Sequence, residues 1–207
     1  MAGHPIFAAI YDRMLKGTED AGLRETRAEL LAGARGRTLE LGAGTGHNLE
    51  HYPAAVEELV LTEPDPHMAR RLRDRIAAAG RSAEVVECDA EDLPFDDAGF
   101  DSVVATLVLC TVEHPQRVLD EVTRVLRPGG RLLFLEHVRS DDPRLARWQD
   151  RLERPWGFFA GGCHPNRPTP ATLSASGLEV ESLETGRLPK SPAIVRPLIS
   201  GVAVRAS

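Results

Sequence analysis

The 207 residues carry a net charge of −6, with 42% hydrophobic and 27% charged residues, which suits one globular domain with a full core. That acidic balance argues against a broad nucleic-acid-binding surface, no run of about 18 apolar residues is present to span a membrane, and the opening Met-Ala-Gly-His-Pro-Ile-Phe lacks the basic segment and apolar core of a signal peptide. Cys88, Cys110 and Cys163 are odd in number and widely spaced without a CxxC pair, so neither a disulfide framework nor a zinc site is expected, and a reducing cytoplasm is the expected compartment.

In chain order, Phe7, Ile10 and Met14 behind Pro5 predict a helix over 5–16, and Leu23, Leu30, Leu31 and Ala34 a second over 20–34. Alternating units follow: a strand over 37–42, a helix near 46–51, a strand over 58–62, a helix over 66–79 opened by Pro66, and a strand over 83–88. Residues 100–106 make a further strand. Val118, Leu119, Val122, Val125 and Leu126 recur at helical spacing over 115–126, and Arg127-Pro128-Gly129-Gly130 supplies a stop and a turn. A strand over 131–136 leads into His137. Residues 143–159 then read as a helix bearing Trp148, Trp156, Phe158 and Phe159, and 161–167 as irregular. The segments 178–185 and 193–205 read as strands too close together for a helical crossover, hence an antiparallel pair at one sheet edge.

The order predicts an α/β fold: a doubly wound, Rossmann-like, mainly parallel sheet of about seven strands with that antiparallel C-terminal edge pair. It divides as cap helices over 1–35, a cofactor-binding core over 36–140, a substrate-side segment over 141–177 and edge strands over 178–207.

Three features sit where such a sheet gathers the C-terminal ends of its strands. The first strand runs into Gly42-Ala43-Gly44-Thr45-Gly46, a loop whose bare backbone lets a ligand approach. Glu63 ends the second strand about 20 residues later, where a nucleotide-binding α/β fold sets a carboxylate against ribose hydroxyls. Asp89 follows the third strand and can accept a hydrogen bond from an adenine amino group, with the next backbone N–H directed at a ring nitrogen.

The loop, Glu63, Asp89 and the Leu-Arg-Pro-Gly-Gly turn at 126–130 together resemble the class I methyltransferases that use S-adenosylmethionine. A nicotinamide dehydrogenase would more usually show Gly-x-Gly-x-x-Gly, and position 47 is His. Glu-Pro-Asp-Pro-His-Met at 63–68, Thr-Leu-Val-Leu-Cys-Thr-Val at 106–112, Leu-Glu-His-Val at 135–138, Gly162-Cys163 with Arg167, and the block 196–204 look more specifically like the methyltransferase-like thiol S-methyltransferases. Two departures matter: the apolar N-terminal anchor of the animal members is missing, and the ribose acid, usually Asp, is Glu63.

The resemblance implies a methyltransferase that uses S-adenosylmethionine and transfers its methyl group to a small-molecule acceptor, first a thiol. A phenol, quinol, amine or lipid headgroup is the alternative, and a non-catalytic cofactor-binding module a further one. It assigns Gly42, Ala43, Gly44, Gly46 and Asn48 to the methionine and ribose part of the cofactor and Glu40 to its ammonium, through water. Glu63 and Pro64 go to the ribose, Asp89, Ala90 and Glu91 to the adenine, and Thr106 and Leu107 to the wall beside the adenosine and reacting methyl. Glu40 has a structural ion pair as its other role, and Glu91 a solvent-facing cap. His137 is a candidate proton acceptor, His164 belongs to the substrate-side segment, and Tyr11 lies on a helix that closes over the site. Arg167 either reaches the substrate or pins its loop, and the aromatic residues of 143–159 either wall an acceptor pocket or form ordinary core. Cys110 is expected as a buried packing thiol. No metal and no nucleic acid are expected, and both monomer and homodimer are open.

Overall fold

Period-two alternation along the central strands decides the layers. Val103, Ala105, Leu132 and Phe134 join one buried cluster, while Val104 and Leu133 join another. The strands are β1 (Gly36–Leu41), β2 (Val56–Thr62), β3 (Glu84–Val86), β4 (Phe100–Thr106), β5 (Leu126–His137), β6 (Leu178–Arg187) and β7 (Pro197–Arg205), in a computed structural model that describes residues 5–206. They form one sheet in the order β3-β2-β1-β4-β5-β7-β6. The first five are parallel, and β7 is antiparallel to both of its neighbours.

The helices are α1 (Pro5–Thr18), α2 (Arg24–Leu31), α3 (Pro66–Ala79), α4 (Pro115–Val125), α5 (Pro143–Phe159) and α6 (Thr169–Ser174). Val118, Leu119 and Val122 of α4, with Leu173 of α6, cover one face of the sheet. Leu31 of α2, with Leu72 and Ile76 of α3, covers the other. α3 shows how local chemistry sets an element. The Asp65 carboxylate accepts the N–H groups of His67 and Met68, Pro66 fills the first turn, and Gly80 ends the helix in the left-handed region.

The expected fold class is found, with local corrections. The predicted helix near 46–51 is one 3₁₀ turn, Leu49–His51: Gly46 at φ +86° breaks the run on one side and Pro53 on the other. The predicted helix over 20–34 opens instead as a π-helical turn, Glu19–Leu23, kinked at Gly22 (φ +129°). β3 is shorter than predicted because only three of its residues pair with β2. β5 starts five residues before the predicted 131, since Leu126 pairs with Phe100 and the Pro-Gly-Gly stretch becomes an irregularity within the strand. Ala193–Val195 is a 3₁₀ turn ahead of β7, not strand.

Candidate active site

Chain order reverses between β1 and β4, and the C-terminal ends of β1, β2 and β4 border one cavity of about 600 Å³. Gly42 and Gly44 line it with left-handed backbones at φ +53° and +58°. A Cβ at Gly42 would stand 3.0 Å from the Val108 side chain. Only a residue without a side chain keeps this wall open.

Glu63, Pro64, Asp89, Ala90 and Leu107 line the same cavity, as the sequence led one to expect. The Glu63 carboxylate accepts the Gly44 N–H at 2.8 Å and the Asp65 N–H at 2.9 Å, one on each oxygen. A carboxylate has about four lone-pair sites, so both oxygens can accept further. Burial raises the Glu63 pKa despite these two bonds. Asp89 also caps its own turn, accepting the Glu91 N–H at 3.0 Å. Leu107 sits at φ +60°, unusual for a branched side chain, held by its N–H bond to Leu135 O at 2.7 Å.

Six residues predicted for the cofactor do not line the cavity. Glu40, Asn48 and Thr106 form a buried network beneath the glycine loop. Tyr52 Oη donates to Glu40 at 2.6 Å, Asn48 Nδ2 donates to Glu40 and Thr106, and the Arg27 guanidinium donates to Asn48, Thr106 and Glu19. Burial pushes Glu40 up to about 7 in spite of its donors. The bonds tie the Glu40 carboxylate to Asn48 and Tyr52. Ala43 packs into the core, and Gly46 faces Leu72, which a Cβ would meet at 2.8 Å. Glu91 also stays outside: its carboxylate accepts the His114 N–H.

α1 closes one side with Phe7, Tyr11, Met14 and Leu15. Asp12 fastens it to the glycine loop and to α3, bonding Thr45 Oγ1, His47 Nε2 and the Arg75 guanidinium. Nothing in the local sequence marks Asp12 for this role, because its three partners lie 33 to 63 residues away. Burial pushes the Tyr11 phenol up to about 12, so it is a protonated donor at neutral pH.

The far wall is built by residues 156–163 and 188–195. Of the four aromatic residues read either as an acceptor wall or as ordinary core, Trp156 lines the cavity, and Trp148, Phe158 and Phe159 are 54%, 84% and 72% exposed. α5 presents them outward because only Ala146 and Gln149 of this helix are buried. His164 also points away, with Nδ1 2.8 Å from Glu153 of α5. Its backbone N–H donates to Cys110 O, which draws the two loops together. Arg167 pins its loop, donating to the carbonyls of Val112 and Glu113.

His137 does reach the cavity, in company the sequence did not announce. Its Nε2 lies 2.8 Å from Cys163 Sγ, and Cys110 is beside them. The hydrogen bond from Cys110, helped by His137 and Trp156, pulls the Cys163 thiol down to about 5 against its burial. Cys110 shifts the opposite way, raised by that hydrogen bond and by burial. Burial opposes protonation of His137, but the bond to Cys163 together with the charges of Cys163 and Glu136 raises its pKa. Cys110 is thus buried, as expected, but as part of a polar group rather than as plain packing.

Comparison with known proteins agrees with this geometry. Residues 39–134 match a family model described as a methyltransferase domain. The thiol S-methyltransferase TMT1B of Homo sapiens is 38% identical over 84% of this chain and 74% of its own length. A phosphatidylethanolamine N-methyltransferase of Cereibacter sphaeroides is 34% identical over 70% of this chain and 72% of its own. Among solved structures, a SAM-dependent methyltransferase of Thermotoga maritima superposes with a TM-score of 0.71 at 22% identity, covering 97% of each chain.

Proposed function

The chain belongs to the class I S-adenosylmethionine-dependent methyltransferases, and from that premise we propose that its acceptor is a small thiol. The residues present fit the cofactor: a bare glycine wall, a buried carboxylate with acceptor capacity to spare at Glu63, and a second carboxylate at Asp89 share one cavity. In our proposal Gly42 and Gly44 take the methionine part, Glu63 the ribose, and Asp89 with Ala90 the adenine, with Leu107 along the adenosine. S-adenosylmethionine supplies an electrophilic methyl group on a sulfonium.

The observation that carries the thiol assignment is the continuity of this cavity from Glu63 and Asp89, past apolar Leu107 and Val108, to the Cys110, His137 and Cys163 group. Methyl transfer to a thiolate neutralises charge, so apolar walls such as Phe7, Val108 and Trp156 favour it by excluding water. Alignment of the two reactants accounts for up to about 7–11 kcal/mol of barrier reduction in favourable cases. A free thiol has a pKa near 8.5, so its deprotonation needs only modest help. Tyr11 lines the same cavity as a hydrogen-bond donor. The similarity to a thiol S-methyltransferase supports the same reading. The three cysteines are free, as a reducing cytoplasm would keep them. Among the described residues no helix is long and apolar enough to cross a membrane.

The test is a product screen. The purified chain is incubated with methyl-labelled S-adenosylmethionine and a panel of aliphatic and aryl thiols, phenols, quinols and amines, and products are read by mass spectrometry. Labelled thioethers are the expected result. Turnover of amines alone would move the assignment toward the second reading, an N-methyltransferase, which the Cereibacter relative favours.

A further inference from the structure

We infer that Cys110, His137 and Cys163 form a zinc site whose fourth position opens on the cavity and receives the acceptor's sulfur. This rests on the thiol reading above and deepens it.

The ligand atoms of these three residues all lie within 4.8 Å of one another, and all three residues are buried. Zinc bonds run about 2.3 Å to sulfur and about 2.0–2.1 Å to nitrogen, so tetrahedral donors stand roughly 3.3–3.8 Å apart. His137 Nε2 lies 2.8 Å from Cys163 Sγ and no pair exceeds 4.8 Å, so the present separations bracket that spacing. Two thiolates, one neutral imidazole and one divalent ion sum to zero charge, which is what a buried group requires. Two cysteines and a histidine with one open position are also a recognised catalytic zinc set.

The surroundings are those of a held ligand set. The carboxylate of Glu136 accepts the N–H groups of Val108, Leu109 and Cys110, which fixes the loop carrying Cys110 beside the strand end carrying His137. Cys163 is set in place by the His164 N–H bond to Cys110 O at 2.7 Å. The Trp156 indole N–H donates to Cys163 Sγ at 3.2 Å, the kind of outer bond that orients a metal thiolate. His137 Nδ1 is buried without a hydrogen-bond partner among the described residues. All three side chains line the cavity, so the open position faces the space assigned to the acceptor.

The step balances. An incoming thiol, RSH, loses its proton to water as its sulfur takes the open position. A sulfur lone pair then forms the new S–CH₃ bond while the donor's S–CH₃ bond breaks. That electron pair stays on the donor sulfur, which becomes a neutral thioether, and the acceptor leaves as R–S–CH₃.

The experiment measures metal first. The full chain, purified without chelators, should hold one zinc per chain by elemental analysis. Replacement by Co²⁺ should give a thiolate-to-cobalt charge-transfer band in the near ultraviolet that strengthens when a substrate thiol is added. Cys110→Ser and Cys163→Ser should each weaken metal binding by more than about 100-fold, beyond the loss usual for an outer-sphere change. Calorimetry with S-adenosylhomocysteine reports whether these variants are folded; His137→Gln serves as the third variant if either is not. A wild-type chain that binds S-adenosylhomocysteine but no stoichiometric Zn²⁺ or Co²⁺ overturns the inference. So does metal retained in both serine variants. Thioether formation undiminished after chelation sinks the zinc site and leaves the thiol reading standing. Stoichiometric metal with the cobalt signature, but no methylation of any thiol, upholds the metal site and sinks that reading.

Discussion

At the carboxylate end of the cavity, Glu63 meets Gly44 across 19 residues because β1 and β2 are adjacent parallel strands. At the sulfur end, Cys110, His137 and Cys163 come from a loop, a strand end and the segment after α5. Their meeting depends on single bonds between loops, such as His164 N–H to Cys110 O. One end is therefore secured by sheet pairing and the other by individual polar side chains. Gln149 illustrates the second case. It is fully buried, its amide nitrogen faces the carbonyls of Val138, Pro165 and Ile194, and its oxygen accepts the Ser140 N–H.

This contrast can be broken or sharpened by experiment, and the largest effect is expected at the sheet-built end. Glu63→Ala removes the acceptor assigned to the ribose, and hydrogen bonds to charged groups are each worth about 1.5–3 kcal/mol. Affinity for S-adenosylhomocysteine should fall roughly a hundredfold or more by calorimetry. Unchanged affinity would remove Glu63 from the cofactor site. The melting temperature should also drop by a few degrees, since the Gly44 and Asp65 N–H groups lose their acceptor.

Gln149→Leu should destabilise the chain by about 2–4 kcal/mol in denaturant titration, because it strands three buried carbonyls and the half-buried Ser140 N–H. If the two ends are independently held, S-adenosylhomocysteine affinity under native conditions should change less than about threefold. A loss as large as that of Glu63→Ala would mean that the ends are mechanically one.

A smaller effect is expected from pH. The ionised Glu63 is the form that accepts hydrogen bonds, and burial holds its pKa above the usual range. Cofactor affinity should therefore be full above that raised pKa and decline as pH falls through it, at a higher pH than an exposed glutamate would give. Glu63→Gln should flatten the profile. A profile equally steep in that variant assigns the titration to another group.

The smallest effect belongs to Phe158→Ser and Phe159→Ser. Both rings are exposed, so stability should move by no more than about 0.5 kcal/mol and the KM for a thiol should be unaffected. A marked rise in KM would restore them to the acceptor wall.

The same contrast explains what could be read from the sequence. Strand order, the glycine loop, Glu63 and Asp89 follow from periodicity and short-range spacing, both local properties. Glu40 and Asn48 read as ligands because they flank the loop, and Thr106 because it ends β4. Whether a strand-end side chain faces the ligand or the layer beneath depends on partners such as Arg27 and Tyr52, which come from elsewhere in the chain. The Cys110, His137 and Cys163 group escaped because its members are 26 residues or more apart, outside any metal-binding spacing pattern. The aromatic residues of α5 misled for the reverse reason: a hydrophobic stripe was visible, but nothing local tells a helix which side will be covered.

The place of β7 has a consequence for biosynthesis. This strand is the latest in sequence, yet it sits between β5 and β6 and, among the described residues, is the only strand that pairs with β6. A nascent chain that has not reached residue 205 can pair β1 to β5 while the flank of β5 stays open and β6 has nothing to join. Completion of the sheet must wait for release of its last-made strand, and an unpaired strand flank is a template for pairing with other chains. Truncation just before Pro197 should therefore yield aggregates rather than a smaller folded enzyme.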